Sequence, residues 1–267
     1  MAVACVLLVL IVLNTYGNDH VKVTRYSLKT EKTRTKMRIA QISDFHNDKK
    51  LGNKLIDATK KQNPDLIALT GDFIDSDKTD IPYALSTAKK LTGIAPVYFV
   101  TGNHETALSS CREFKQELEK TGVKVLEGGE VELSRRISVY GIDDPLASWD
   151  YDADAEGNME YILRSIAVDK SKYNILLSHR PEAFPAYVSR DQDHRFDLVL
   201  TGHAHGGQFR IPFIGGIIAP GQGLFPKYDA GMYKKGNTTM IVSRGIGNSM
   251  IPLRINNRPE LIIVDIG

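Results

Sequence analysis

Thiols are nearly absent from this 267-residue chain, which has two cysteines, Cys5 and Cys111. Cys5 lies inside an apolar run, which argues against a structural disulfide between them, and two thiols cannot build a thiolate zinc site. Any metal must therefore be held by His, Asp, Glu or Asn. An excess of one charge is lacking too: 34 Lys and Arg against 32 Asp and Glu leave a net +2. That balance excludes a general polyanion-binding surface, so no nucleic-acid partner is expected. No apolar run reaches membrane-spanning length. The longest, Met1–Leu13, would extend about 20 Å as a helix, short of the roughly 30 Å hydrocarbon core of a bilayer. No Lys or Arg precedes it, so the basic start of a signal peptide is missing. Internal repeats, low-complexity tracts and, after residue 36, obvious linkers are missing as well.

What is present is an ordinary soluble composition, 42% hydrophobic and 25% charged, enough to bury a core in one large α/β domain or two small ones. One domain over 37–267 is the economical division. Residues 1–20 read as an apolar membrane anchor or uncleaved signal, with a buried first strand as the alternative. Residues 21–36, which carry Lys22, Arg25, Lys29, Lys32, Arg34 and Lys36, read as a basic linker or first strand. That basic flank suits anionic lipid headgroups, so a membrane-associated protein is expected. Positive-inside counting would put the body on the cytoplasmic side, a count that a missing start would undo.

From residue 37 onward, short apolar runs alternate with amphipathic stretches. Strands are expected at 37–43, 66–70, 97–101, 174–178, 198–201, 238–247 and 260–267, with three more within 123–143. Helices are expected at 49–62, 83–91, 111–122 and 157–168. Five of the strands run into residues that ligate metals: Asp44 and His46, Asp72, Asn103 and His104, His179, then His203 and His205. In open α/β sheets, ligands sit at the carboxyl ends of strands. Residues two apart on an extended chain point the same way, which would let Asp44 with His46, and His203 with His205, each grip one centre. Gly71, Gly102 and Gly202 would let the chain turn sharply there. His20 and His194 fit no such pattern and read as surface residues.

Together, Asp44-x-His46, Gly71-Asp72, Gly102-Asn103-His104-Glu105, His179 and Gly202-His203-Ala204-His205 resemble the five motifs of the calcineurin-like metallophosphoesterase superfamily. Stretches such as "SHRPE" and "GHAHGGQFRIPFIGG" resemble its bacterial membrane-associated phosphodiesterase branch. The resemblance implies a four-layer α/β/β/α sandwich of two mixed sheets with the site at one edge. It implies two divalent metals, one held by Asp44, His46 and His205, the other by Asn103, His179 and His203, with Asp72 bridging. Mn is the first choice, with Fe and Zn open, because imidazole and carboxylate ligands suit all three. The implied reaction is phosphoester hydrolysis, of a phosphodiester by preference, through a hydroxide bridging the metals. His104 would be a catalytic residue that protonates the leaving oxygen or stabilises phosphoryl charge, as an imidazole can do near neutral pH. Asp75 would orient His104. Two alternatives stand beside this reading. One is a pyrophosphatase acting on a lipid-linked nucleotide sugar such as UDP-diacylglucosamine. The other is a non-catalytic scaffold of the same fold.

Arg244, Arg254 and Arg258 are candidates for holding a substrate phosphate, and sequence does not choose among them. The apolar, glycine-rich segment 209–225 would flank the site and meet an acyl chain or membrane, or else pack in the core.

Overall fold

Alternation along the strands decides which layer each side chain joins. The computed structural model describes residues 12, 14–145, 155–188, 195–248 and 253–267; the apolar segment Met1–Leu13, apart from Val12, and His194 lie outside them. In chain order the main strands are β1 (Lys22–Leu28), β2 (Met37–Ile42), β3 (Leu66–Thr70), β4 (Val97–Val100), β5 (Lys124–Val125), β6 (Glu130–Ser134), β7 (Ile137–Gly141), β8 (Tyr173–Leu177) and β9 (Leu198–Thr201). Four two-residue strands follow: β10 (Arg210–Ile211), β11 (Gly215–Gly216), β12 (Ile218–Ala219) and β13 (Gly223–Leu224). The last three are β14 (Gly231–Lys235), β15 (Thr238–Val242) and β16 (Glu260–Ile266).

These strands form two six-stranded sheets, ordered β1-β16-β2-β3-β4-β5 and β14-β15-β9-β8-β7-β6. Both are mixed. In the first, β16 runs antiparallel to β2 while β2, β3, β4 and β5 are parallel. In the second, β15, β9, β8 and β7 are parallel between antiparallel edges β14 and β6. Ile39, Leu66, Ala68 and Val100 of the first sheet pack against Val139, Ile175, Leu177, Leu198 and Leu200 of the second. Their alternate neighbours face outward. Ala40, Ile67, Leu69 and Phe99 meet α1 (Gly52–Gln62), α2 (Ile81–Thr92) and α4 (Cys111–Lys120). Tyr140, Leu176, Val199 and Met240 meet α5 (Ala155–Ser165) and the single turn α6 (Phe184–Tyr187). A further helical turn, α3 (Asn103–Thr106), follows β4. The architecture is therefore the expected α/β/β/α sandwich.

Local chemistry explains the helices. Leu55 and Thr59 of α1 are buried four residues apart, and the helix stops at Asn63 in the left-handed conformation, a backbone region asparagine tolerates. Asp80 caps α2 by accepting the Tyr83 N–H at 3.0 Å, with Pro82 in the first turn. Phe114 and Leu118 are the buried pair of α4.

Two elements differ from expectation. Strand β14 was not legible, because it is an edge strand with Met232, Lys234 and Lys235 exposed and so shows no clear apolar alternation. Segment 209–225 is neither core nor regular sheet but a pair of minimal hairpins, β10–β11 and β12–β13. The basic stretch 21–36 contributes β1, which pairs in parallel with β16. Among the described residues no helix is long and apolar enough to cross a membrane.

Leu200 is completely buried between the sheets. Replacing it with alanine is expected to cost roughly 2–5 kcal/mol of unfolding free energy. A denaturant titration that showed under about 1 kcal/mol would contradict the seam described here.

Candidate metal centre

The strand ends of the two sheets converge at one place. Ser43 and Asp44 follow β2, Gly71 and Asp72 follow β3, and Asn103 opens α3 after β4. From the other sheet, His179 follows β8 and His203 and His205 follow β9. Hydrogen bonds cross between the sheets here. Gln41 Nε2 donates to the Thr201 carbonyl at 2.8 Å, the His203 N–H donates to Asp44 Oδ1 at 3.0 Å, and His179 Nδ1 donates to the Thr70 carbonyl at 2.8 Å.

Two groups of donor atoms result, sharing Asp72. One contains Asp44, His46, Asp72 and His205; the other contains Asp72, His179 and His203. In the first, His46 Nε2 and His205 Nε2 are 3.2 Å apart, His205 Nε2 is 3.4 Å from Asp44 Oδ1, and Asp72 Oδ2 lies 3.8 Å from His46 Nε2. In the second, His179 Nε2 lies 3.2 Å from each of Asp72 Oδ2, Asn103 Oδ1 and His203 Nδ1. The Asp72 side chain thus spans both groups through one oxygen.

The backbone that achieves this is not the extended one expected. Asp44, His46, Asp72, His203 and His205 all have φ between 46° and 64°. Non-glycine residues rarely adopt this left-handed region; each instance costs about 1–3 kcal/mol and persists only where its surroundings enforce it. The consequence corrects the argument from alternation. His203 and His205 do not serve one centre; the bends send His203 to His179 and His205 to His46. The glycines also act differently than expected. Gly71, at φ 85°, does use its conformational freedom. Gly102 and Gly202 instead make room, since a Cβ would collide with Asp72 at the first and with Ser43 and Asp44 at the second.

Electrostatics set the donors' states. Burial takes His46 down to about 4, and burial pushes His203 and His205 well below the ordinary imidazole value. All three are therefore neutral lone-pair donors at neutral pH. Burial raises the Asp44 carboxyl to about 6, with Asp72 adding to the rise and His179 opposing it. For Asp72, burial is outweighed by His179 and His46, which hold it well below the carboxylate range. His179 is the counterpart: burial disfavours its charge, yet Asp72 and Asp44 lift it to about 10. Its Nδ1 proton goes to Thr70, and its Nε2 faces two oxygens and another imidazole nitrogen. Such a set calls for a cation at its centre. The donor chemistry fits two divalent metals.

His104 is half-buried beside this set, its ring 4.5 Å from that of His46 and nearly perpendicular to it. Its Nδ1 accepts from the Ser76 N–H, and Ser76 Oγ also lies 3.0 Å away. Asp75, expected to orient His104, has a carboxylate oxygen within 4.8 Å of a His104 nitrogen, while the hydrogen bond to the ring comes from Ser76. Asp75 Oδ1 accepts the Asp77 and Lys78 N–H groups, and its Oδ2 lies 3.9 Å from His46 Nδ1. Asp75 thus also faces a candidate ligand.

Two further residues were missed as contributors. Glu105 is completely buried and accepts the N–H groups of Asp72, Gly102 and Ile74 at 2.7–3.0 Å, which ties the Asp72 turn to α3. Burial, with the Asp72 charge, raises its carboxyl to about 7. Arg180 forms a two-pronged pair with Asp144 at 2.7 and 3.2 Å behind His179. Both stand inside motifs already conspicuous in the sequence, next to His104 and His179, but only their backbone and charge partners show what they do. Of the three arginines, Arg254 is the one at the site: it is 1% exposed, donates to the Arg244 and Gly247 carbonyls and comes within 3.4 Å of His205 Nδ1. Arg244 lies 3.9 Å from Glu260, and Arg258 is exposed. His20 lies outside the site, its ring hydrogen-bonded to the Tyr16 carbonyl.

Residues 37–207 match the family described as Calcineurin-like phosphoesterase. The chain belongs to that family. Among its relatives is the metallophosphoesterase YkuE of Bacillus subtilis, 30% identical over 84% of this chain and 75% of its own. A metallophosphoesterase of Aquifex aeolicus is 29% identical over 92% of this chain and 91% of its own. The phosphodiesterase YaeI of Escherichia coli is 29% identical over 77% and 72%. The solved structure of TT1561 from Thermus thermophilus has the same fold, with a TM-score of 0.53 at 14% identity, covering 79% of this chain and 91% of that one. As a calcineurin-like phosphoesterase, this protein is a metal-dependent hydrolase of phosphoesters.

If Asp72 serves both groups, Asp72→Asn should lower the metal content from about two per chain to under one, because each metal loses a ligand. Elemental analysis that still found two would refute the shared role.

Proposed function

We propose that this phosphoesterase cleaves phosphodiesters at a centre of two divalent cations. Asp44, His46 and His205 hold one cation, Asn103, His179 and His203 hold the other, and Asp72 joins them. The observation that carries this reading is the single Asp72 oxygen placed between two sets of buried donors. Two such cations would acidify a water and offset the negative charge of the phosphoryl oxygens. Manganese is the preferred metal, since nitrogen and hard oxygen donors are mixed and no thiolate is present. The neutral Asn103 oxygen limits negative charge around a site that must admit an anion.

The chain's own residues supply the rest. Because Ser76 occupies Nδ1 of His104, the ring proton sits on Nε2 and is available to the departing oxygen as its bond to phosphorus breaks. Asp75, whose Oδ2 lies 3.9 Å from His46 Nδ1, is a carboxylate of the type that orients ligating imidazoles once it closes to hydrogen-bond distance. Glu105 keeps the Asp72 turn in its left-handed form. The phosphodiesterase name carried by the Escherichia coli relative supports the diester preference. A second reading, a pyrophosphate within a lipid-linked nucleotide sugar, draws support from the exposed apolar hairpins beside the site. The scaffold alternative draws none, since all seven candidate ligands are in place.

With manganese-loaded protein, bis(p-nitrophenyl) phosphate should turn over faster than p-nitrophenyl phosphate, and a chelator should abolish both rates. Faster turnover of the monoester would overturn the diester assignment. His104→Gln should keep its metal and lose roughly 10²–10⁴-fold in kcat. That loss should shrink as the leaving group becomes more acidic; an equal loss across leaving groups would assign His104 to charge stabilisation instead.

A further inference from the structure

Twelve large apolar side chains are exposed among the described residues. Six of them, Ile211, Phe213, Ile214, Ile218, Leu224 and Phe225, fall on the two hairpins β10–β11 and β12–β13. Two more, Leu253 and Ile255, lie on the segment alongside the start of β10: Phe209 bridges to Ile255, and the Arg210 N–H donates to the Ile255 carbonyl. Concentration of exposed apolar surface in one place marks an interaction site. The backbone bears this out. Phe213 and Phe225 have φ of 68° and 53°, a conformation that bulky side chains rarely adopt, and both rings project into solvent.

We infer that this face docks on the surface of an anionic phospholipid bilayer. Charge agrees with that partner. Neither 206–228 nor 253–259 contains an Asp or Glu, and Lys227 and Arg258 are exposed at its rim, as suits anionic headgroups. The end of the apolar N-terminal run agrees as well. Asn14 and Asn18 both donate to the Arg254 carbonyl, and the Asn256 N–H donates to Asn14. Met1–Leu13 therefore joins the described chain beside Leu253 and Ile255, so one bilayer can receive both. Interfacial attachment of this kind needs no spanning helix. The face also adjoins the metal centre: Gly221, in the turn of β12–β13, is packed so closely that a Cβ there would lie 2.6 Å from Glu182 Oε1 and 3.6 Å from His203 Nε2.

The test uses the full chain, and its deciding readout is vesicle partition, which does not depend on the substrate assignment. Asparagine tolerates positive φ, so the double variant Phe213→Asn, Phe225→Asn removes both rings without adding backbone strain. It should fold with a Tm no lower than the parent's and turn over a soluble diester at the parent's rate. Its partition onto phosphatidylglycerol-containing vesicles should fall at least about tenfold. A fall under twofold would overturn the proposal, because binding would then belong to Met1–Leu13 alone. In a second variant, Phe213→Trp, the added emission should be quenched by vesicles with brominated acyl chains. Emission already blue-shifted without vesicles would overturn it as well, by showing that residues 1–13 or a second copy of the chain covers this face; sedimentation equilibrium separates those two.

Discussion

The Asp72 carboxylate governs the rest of the centre. It is buried, and it faces buried imidazoles in both directions. The fold answers its charge with strain and with donors. Asp72 itself sits at positive φ, held there by Glu105, which collects three backbone N–H groups around the turn. His179 is brought from the opposite sheet to face it, with its ring fixed by the Thr70 carbonyl. An imidazolium at His179 is the protonic solution to this arrangement, and divalent cations are the other. In both cases positive charge must reside between the two sheets, which is the condition for a phosphate anion to enter an otherwise acidic and histidine-lined recess.

Much of this could be read from the sequence, because the ligating residues come in short motifs placed where apolar strands stop. Each motif gave both a strand end and a donor, and the order of donors was enough to suggest the family. The sandwich was legible through continuous apolar runs such as Leu66–Thr70 and Leu198–Thr201, which are buried on both faces. Backbone conformation was not legible. Extended alternation would pair His203 with His205 on one metal, whereas left-handed φ at both residues sends them to different groups. The partner of His104 was hidden for another reason. The orienting donor includes the backbone N–H of Ser76, and a main-chain group leaves no mark in a sequence, while the neighbouring Asp75 carries the more conspicuous side chain. The hairpins over 209–225 lacked any readable period because their strands are two residues long. Glycine and proline there signalled turns, and the sequence left open whether the apolar residues face outward or pack in the core.

The active-site arginine shows a related limit. Three arginines near the C-terminus were equivalent as sequence, and each could have met a phosphate. Burial separates them. Arg254 is enclosed and spends its donors on carbonyls of the 244–247 loop, so it acts as a brace behind His205. An enclosed guanidinium still contributes its charge at short range, and burial lowers it to about 10, well above neutral pH. It therefore remains a fixed positive charge on the outer side of the first donor group.

The division of donors between the sheets has a consequence for assembly. Strands β2, β3 and β4 deliver Asp44, His46, Asp72 and Asn103, and strands β8 and β9 deliver His179, His203 and His205. Neither sheet alone carries a complete set for either group, since His205 must cross to Asp44 and His179 must cross to Asp72. The centre therefore exists only once the two halves of the sandwich have closed on one another. Metal bound there would be a rivet through the two layers. By mass action it would stabilise the closed chain over any form in which the sheets have parted, so metal supply would bear on how long the folded protein survives as well as on how fast it works.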